Sequence, residues 1–451
     1  MIFKNKKNIG TQKVVTRFAP SPTGFLTIGN YRTALFNYIF AKQNGGKFLL
    51  RIEDTDKERS KRQYDEDIIE SFKWLGLSYD EFYRQSEREE VYKSYLERLV
   101  KDGKAYISRE RDVKEGERSE VVRFKNPNKE IEFEDLIRGK VRFNTKELGD
   151  FIIAKSLKEP LFHLAVVVDD FEMRITHIIR GEDHISNTPR QILIEEAIGA
   201  PRPIYAHLPL ILGPDRSKLS KRNGAISIRD CKEKGYLPEA VNNYLALLGW
   251  HPGTDEEILS MTELIEKFDL SKIQKGGAIF DIKKLGWLNK QYTAKLPTKE
   301  FLKIFSEWMR PEYQNVKILK KIAPLAQTRI EKFSDITTMK QAGDFDYFFG
   351  QPEYKKEKLS WKNSKDLRLT KNYLESVLKI FNSMKKIEFT PQGIKARVWS
   401  YAEQNGRGEV LWPLRYALSG KGESPDPFTL AAILGKTETV RRIQYAVSKF
   451  D

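Results

Sequence analysis

Two short segments carry residues suited to phosphate chemistry. The first is Phe18-Ala19-Pro20-Ser21-Pro22-Thr23-Gly24-Phe25-Leu26-Thr27-Ile28-Gly29-Asn30, which runs from a β-branched stretch directly into a helical pattern. The first amides of a helix and the positive end of its dipole suit an anion. Gly24 and Gly29 permit close backbone approach. Taken alone, the piece reads first as a turn with a glycine-aided helix start. The second is Ser217-Lys218-Leu219-Ser220-Lys221-Arg222-Asn223-Gly224, with cationic or hydroxyl groups at five of its first six positions. A basic loop of this kind could neutralise charge developing on a polyphosphate. By itself such a loop is more often a solvated surface turn.

The elements that must hold these segments follow from pattern. Val14 to Phe18 reads as a strand, Asn30 to Asn44 as a helix ended by Gly45-Gly46, and Phe48 to Ile52 as a second strand. Strand, helix, strand is a βαβ unit and starts a parallel sheet. Helices follow near Asp65 to Leu75 and Arg88 to Lys101. Residues 106–160 are charge-rich with short β-like pieces, Glu120 to Phe124 and Gly139 to Phe143, and read as an insertion. Phe162 to Val168 and Arg174 to Arg180 are β-rich; a helix is expected over Thr188 to Ile198, and a strand-like piece at Leu208 to Leu212. After Gly235 the pattern is mostly helical: Pro238 to Leu248, Lys317 to Glu331 with a break at Pro324, Lys371 to Asn382 and Thr437 to Lys449. Lys355 to Arg368 is the most charge-dense stretch and reads as an inter-helix loop.

Composition bounds the answer. The 451 residues hold 79 basic and 63 acidic side chains, a net charge of +16, and the length suits about three domains. The single cysteine, Cys231, excludes a disulfide framework and any zinc site built on two thiolates. No apolar run reaches the length of a membrane span or a signal peptide. These features point to a cytoplasmic protein with no membrane partner. Residues 316–451 contain 25 basic and 15 acidic residues, a net +10, which suits a polyanion partner as well as plain solubility.

Five motifs together resemble the bacterial-type glutamyl-tRNA synthetases, a class I aminoacyl-tRNA synthetase family. They are Arg17 to Gly24 continuing through Leu26-Thr27-Ile28-Gly29-Asn30 and Arg32 to Asn37; Leu50-Arg51-Ile52-Glu53-Asp54-Thr55-Asp56; Val166 to Asp170; Ile179-Arg180-Gly181-Glu182-Asp183-His184 with Asn187 to Gln191; and Lys218-Leu219-Ser220-Lys221-Arg222, similar to the KMSKS loop. The resemblance is strong to about Trp287 and weaker, though continuous, beyond it. It implies an α/β fold: a class I Rossmann-type parallel-sheet catalytic domain, split by an α+β insertion and followed by an all-helical anticodon-binding region. The expected boundaries are 1–105 and 162–235 for the two catalytic halves, 106–161 for the acceptor-stem-binding insertion, 236–315 for a helical stem-contact domain and 316–451 for the anticodon domain.

The family activates L-glutamate with ATP and Mg²⁺ to an enzyme-bound adenylate, then esterifies the 3′-terminal adenosine of tRNA(Glu). Glutamate has two carboxylates and one ammonium, so its pocket needs two cations and one acid. By similarity Arg17 faces the side-chain carboxylate, Arg180 the α-carboxylate, and Glu53 with Ser21 the α-ammonium; Ala19 and Phe162 complete the pocket. Lys221 and Lys218 are expected to act on the pyrophosphate side, with Thr27 and Asn30 as catalytic partners at the helix start. Thr27, Gly29, Asn30, Asp183, Lys218, Leu219, Ser220, Lys221 and Arg222 make the expected ATP site. No zinc is expected, and the chain is expected to be a monomer.

Two positions depart from the family pattern. Thr27 stands where the HIGH-type motif usually has histidine, and Phe162 where tyrosine is frequent. The tail resembles the helical anticodon-binding bundle, which would account for its charge as phosphate-facing. An ungapped reading puts Gln327, near Arg329, where an arginine in some members checks the third anticodon base, so tRNA(Gln) is a candidate second substrate. Glutaminyl-tRNA synthetases share the catalytic fold but carry a mainly β-barrel anticodon region. A shortened paralogue that modifies a tRNA base would lack the tail. A decayed, non-catalytic tRNA-binding protein would not need Lys221, Arg17, Glu53 and Arg180.

Overall fold

The computed structural model describes residues 13–109, 120–219, 224, 226–362 and 366–451. The chain divides into two compact units, Met1–Tyr292 and Thr293–Asp451. No helix among the described residues is long and apolar enough to cross a membrane.

In the first unit, β1 (Val15–Phe18), α1 (Ile28–Gln43), β2 (Lys47–Ile52), α2 (Arg62–Leu75) and β3 (Glu81–Arg84) form two successive crossovers. The three strands pair in parallel in the order β1-β2-β3, with Arg17 opposite Leu49 and Leu50 opposite Phe82. After α3 (Glu89–Lys101) come β4 (Ala105–Arg109), β5 (Glu120–Phe124), β6 (Glu130–Asp135), β7 (Gly139–Asn144), β8 (Phe151–Ser156) and β9 (Glu159–Pro160). The chain then returns through α4 (Phe162–Glu172), β10 (His177–Gly181), α5 (Thr188–Ile198), β11 (Ile204–Leu208) and β12 (Ile211–Leu212). Strands β4-β5-β8-β9 make their own antiparallel sheet, whereas β7 and β6 extend the parallel pair β11-β10. The β10 side meets β1 where the Thr176 N–H donates to the Val15 carbonyl at 3.0 Å. Short helices α6 (Ile228–Glu233), α7 (Pro238–Leu247), α8 (Met261–Lys267), strand β13 (Ala278–Ile279) on β12, and α9 (Ile282–Lys295) complete this part of the chain.

Strand alternation sets which side chains meet, because successive residues point to opposite faces. Phe18, Phe48, Leu50, Ile52, Ile179, Ala206 and Leu208 enter the core that includes α1 and α2. Leu49, Ile178 and Tyr205 enter the other, which includes α3, α4 and α5. Both faces are covered, as for a parallel sheet. Arg17, Arg51, Arg180 and His207 share the parity of that second face.

Three expectations need correction. The β-rich run Phe162–Val168 is the first part of α4, with Leu164 to Asp170 buried. A short apolar run does not distinguish strand from buried helix, and burial here overrides the β-propensity of Val166 to Val168. Lys317–Glu331 does not break at Pro324: α11 runs Val316–Arg329 with that proline inside. Pro324 and Lys320, whose carbonyl loses its helical donor, are both exposed residues, a position where solvent can replace the lost bond. Leu208–Leu212 is not one strand but the end of β11 and β12, separated at Pro209, which has no N–H for a ladder.

The second unit is helical. Its helices are α10 (Thr298–Trp308), α11, α12 (Asp335–Gln341), α13 (Asp346–Phe349), α14 (Leu367–Ser383), α15 (Pro391–Asn405), α16 (Arg407–Ser419), α17 (Pro427–Leu434) and α18 (Lys436–Ser448). Arg442 on α18 is 2% exposed and donates to the carbonyls of Tyr347 (2.7 Å), Leu418 (2.6 Å) and Gly350 (2.9 Å).

Candidate active site

The cleft lies outside the carboxyl ends of the parallel strands, where an open α/β sheet places its ligands. Its volume is about 410 Å³, and its walls come from the end of β1, the start of α1, Glu53, the start of α4, the end of β10 and the segment Pro209 to Leu219. Arg17, Ala19, Ser21, Thr27, Gly29, Asn30, Glu53, Phe162, Arg180, Asp183, Lys218 and Leu219 all line it. Ser220, Lys221 and Arg222 lie outside the described residues.

Beneath the floor, buried charges compensate one another. Arg17 grips Asp170 with Nε (3.1 Å) and Nη2 (3.3 Å), in the bidentate geometry of a guanidinium on a carboxylate. Arg51 joins Asp170 (2.8 Å) to Glu53 (3.0 Å) and approaches Asp169 at 3.6 Å. Asp169 also accepts from Arg88 (2.7 Å), Gln85 (2.9 Å) and the Tyr92 hydroxyl (2.8 Å). Three arginines thus face three carboxylates. Burial alone would raise the Asp170 carboxyl, but Arg17 and Arg51 outweigh it and hold it below the usual carboxylate range. Burial also pulls on the Arg51 guanidinium, and its three carboxylate neighbours more than restore its charge. Glu53 differs: burial pushes it up to about 7, with Arg51 opposing.

Arg180 has no such compensation. It is 6% exposed and has no carboxylate within ion-pair distance among the described residues. Its Nε donates to His207 Nε2 at 3.1 Å, its Nη2 to the Thr188 hydroxyl at 2.8 Å, and its plane lies 5.7 Å from the Tyr205 ring centroid. Burial lowers its pKa to about 10, which leaves it charged at neutral pH. A buried, unpaired cation is costly, and an anionic ligand removes that cost. His184, tilted against Phe162, is held neutral because burial, then Arg180, lowers it to about 4.

One end of the cleft is built on the start of α1. Thr27 is its N-cap, with the side-chain oxygen accepting from the Asn30 N–H at 3.2 Å. Asp183 pairs with Lys218 at 3.1 Å, which ties the basic segment to the end of β10. A Cβ on Gly181 would lie 2.5 Å from Asp183 Oδ1, so the glycine lets that carboxylate fold back. Gln327 and Arg329 are in the second unit, apart from this cleft. The Gln327 amide donates to the carbonyls of Thr293 (2.9 Å) and Leu296 (3.0 Å), and Arg329 pairs with Asp344 at 3.4 Å.

Residues 13–114 and 108–287 match the family of class I tRNA synthetases (E and Q), catalytic domain, and residues 300–447 match an anticodon-binding domain. The chain is 41% identical to a glutamate–tRNA ligase of Aquifex aeolicus, over 97% of this chain and 99% of that one. It is 40% identical to glutamate–tRNA ligase 1 of Petrotoga mobilis, over 96% and 97%. The chain belongs to the glutamyl-tRNA synthetase family. A solved glutamate–tRNA ligase from Elizabethkingia meningosepticum, in complex with its amino acid, superposes with a TM-score of 0.85 at 34% identity, covering 97% of this chain and 99% of that one.

Within this synthetase fold, two groups escaped the sequence reading. Asp169 and Asp170 stood in a matched motif but carried no role, although an acidic pair closing an apolar run signals buried carboxylates in need of cations. Arg51, inside the apolar strand Phe48–Ile52, was the complementary signal. His207 stands in none of the motifs, and its contact with Arg180 depends on tertiary proximity that no local pattern carries.

Proposed function

We propose that the cleft activates L-glutamate as its adenylate and that the chain is a glutamate–tRNA ligase acting on tRNA(Glu). The buried, uncompensated Arg180 carries this reading. With Arg17 it offers two guanidinium groups to two carboxylates, while Glu53 offers one acid to one ammonium. The Arg17–Asp170 pair occupies Nε and Nη2 and leaves Nη1 outside it, so substrate meets a guanidinium whose orientation is already fixed. Arg180 holds the α-carboxylate, Glu53 with Ser21 the ammonium, and Arg17 the side-chain carboxylate.

An α-carboxylate oxygen attacks the α-phosphorus of ATP in line, and the bond to the bridging oxygen of pyrophosphate breaks. No proton transfer is required, so positioning and charge neutralisation supply the rate enhancement. The start of α1 at Ile28 and Gly29 and the Thr27 hydroxyl face the phosphates, with Lys218 and Lys221 on the departing pyrophosphate. A hydroxyl of the terminal adenosine then attacks the activated carbonyl, and AMP leaves. Among the described residues no three carboxylate, histidine or cysteine groups cluster as metal ligands, so Mg²⁺ fits as an ion carried by the nucleotide phosphates. The neutral Gln327 offers no cation to a third anticodon base, which supports acceptance of tRNA(Gln) as well.

ATP–pyrophosphate exchange tests the assignment, with glutamate or glutamine and with tRNA present. Exchange with glutamate alone is expected; no exchange with either amino acid refutes it. Charging of both purified tRNAs tests the second substrate, and glutamate on tRNA(Glu) only refutes that part.

A further inference from the structure

We propose that Asp135 and His207 form a positioning pair for Arg180, through which the 106–161 insertion holds the amino-acid pocket in shape. This rests on the reading of Arg180 as the α-carboxylate ligand. His207 Nδ1 lies 2.6 Å from Asp135 Oδ2, and its Nε2 lies 3.1 Å from both Arg180 Nε and the Thr188 hydroxyl. A guanidinium only donates, so His207 Nε2 accepts, and the ring proton sits on Nδ1 and goes to Asp135. Thr188 accepts from Arg180 and donates to the His184 carbonyl at 3.2 Å. One proton arrangement therefore satisfies every group, and it fixes the plane of the guanidinium.

Asp135 is itself immobilised. It is 2% exposed and accepts from the backbone N–H groups of Ile137 (3.0 Å), Arg138 (2.8 Å) and His207 (3.0 Å). It closes β6 at its single register contact with β11, opposite Tyr205. The following turn is strapped down by Arg138, which donates to the His207 carbonyl at 3.3 Å and pairs with Glu182. Glu182 in turn accepts the Leu210 N–H at 2.8 Å. The turn of the insertion, the end of β10 and the cleft wall at Leu210 thus form one connected frame around Arg180.

Two substitutions separate positioning from bulk packing. His207→Gln keeps an acceptor near the Nε2 position, whereas His207→Asn keeps a donor near Nδ1 and loses that acceptor. Glutamate KM in tRNA-supported pyrophosphate exchange is expected to rise about tenfold or more for His207→Asn, against about twofold for His207→Gln. The ATP KM is expected to stay within about twofold for both. Equal glutamate KM values for the two variants, or matched changes in the glutamate and ATP constants, overturn the proposal. Nitrogen-15 NMR of the unmodified protein is independent of activity and of variant folding. The Nδ1–H tautomer of His207 is expected at pH 7; the Nε2–H tautomer or an imidazolium overturns the pair. Absence of glutamate-dependent exchange in the wild-type protein would instead count against the functional assignment, and the NMR result would still decide the geometry.

Discussion

Glu53 should make glutamate binding depend on pH near neutrality. The side chain is 5% exposed, its ion pair with Arg51 is 3.0 Å long, and burial raises it to about 7 in the free protein. A bound α-ammonium favours the carboxylate, so the complex keeps Glu53 ionised and the titration belongs to the free protein. With a pKa of about 7, about 9% of Glu53 is ionised at pH 6 and about 91% at pH 8. Glutamate affinity is therefore expected to be about tenfold weaker at pH 6 than at pH 8. Glu53→Gln removes a charge-assisted hydrogen bond of about 1.5–3 kcal/mol. At pH 8 the variant is expected to bind about 10- to 150-fold more weakly, with no slope from pH 6 to 8. His163 and His184 are held to about 4, so they stay neutral throughout this window. Glu195 titrates at about 7, but its contact is with the Tyr205 hydroxyl, and the Glu53→Gln control separates the two. Isothermal titration of glutamate across this range is the assay. A flat wild-type profile, or a tenfold slope surviving in Glu53→Gln, refutes the reasoning.

Three further outcomes are expected. Thr27→Val deletes the hydroxyl that caps α1 and that the proposed reaction turns to the phosphates; it should cost about 1 kcal/mol of stability and lower kcat for exchange, with the glutamate KM unchanged. A higher glutamate KM with kcat intact contradicts this. Arg442→Met leaves the buried Tyr347 and Leu418 carbonyls and the part-buried Gly350 carbonyl of the second unit without their donor and should lower its stability by about 3–5 kcal/mol; a calorimetric melt unchanged from wild type contradicts that account. The folded-state pKa of Glu195, about 7, lies above its ordinary 4.5, so its favourable contribution is complete below 4.5 and is lost as pH rises through 7. Glu195→Gln resembles the protonated form, and its Tm gain over wild type should be larger at pH 8 than at pH 5. Equal differences at the two pH values would show that Glu195 is ionised normally.

Local order was legible in the sequence because it is encoded at short range. The βαβ start, α2, α3, α5 and the helices α7, α11, α14 and α18 follow from apolar period and glycine or proline punctuation. The family resemblance of the motifs singled out Arg17, Glu53, Arg180, Asp183 and Lys218, and all five line one cleft. Tertiary packing decided the rest. Whether Phe162 to Val168 was strand or helix could not be read from an apolar run, because both hide the same side chains. Only as a helix does the segment place Asp169 and Asp170 within reach of Arg51, Arg17 and Arg88. The contrast between Arg17 and Arg180 is likewise spatial: both are buried arginines at the ends of parallel strands, yet one meets a carboxylate and the other a neutral imidazole. Asp135 and His207 are 72 residues apart, joined because β6 docks on β11. Residue type and spacing determine which groups are available. Which charge is compensated depends on distances of a few ångströms across the folded sheet, and there Arg180 is left to seek its anion in the cleft.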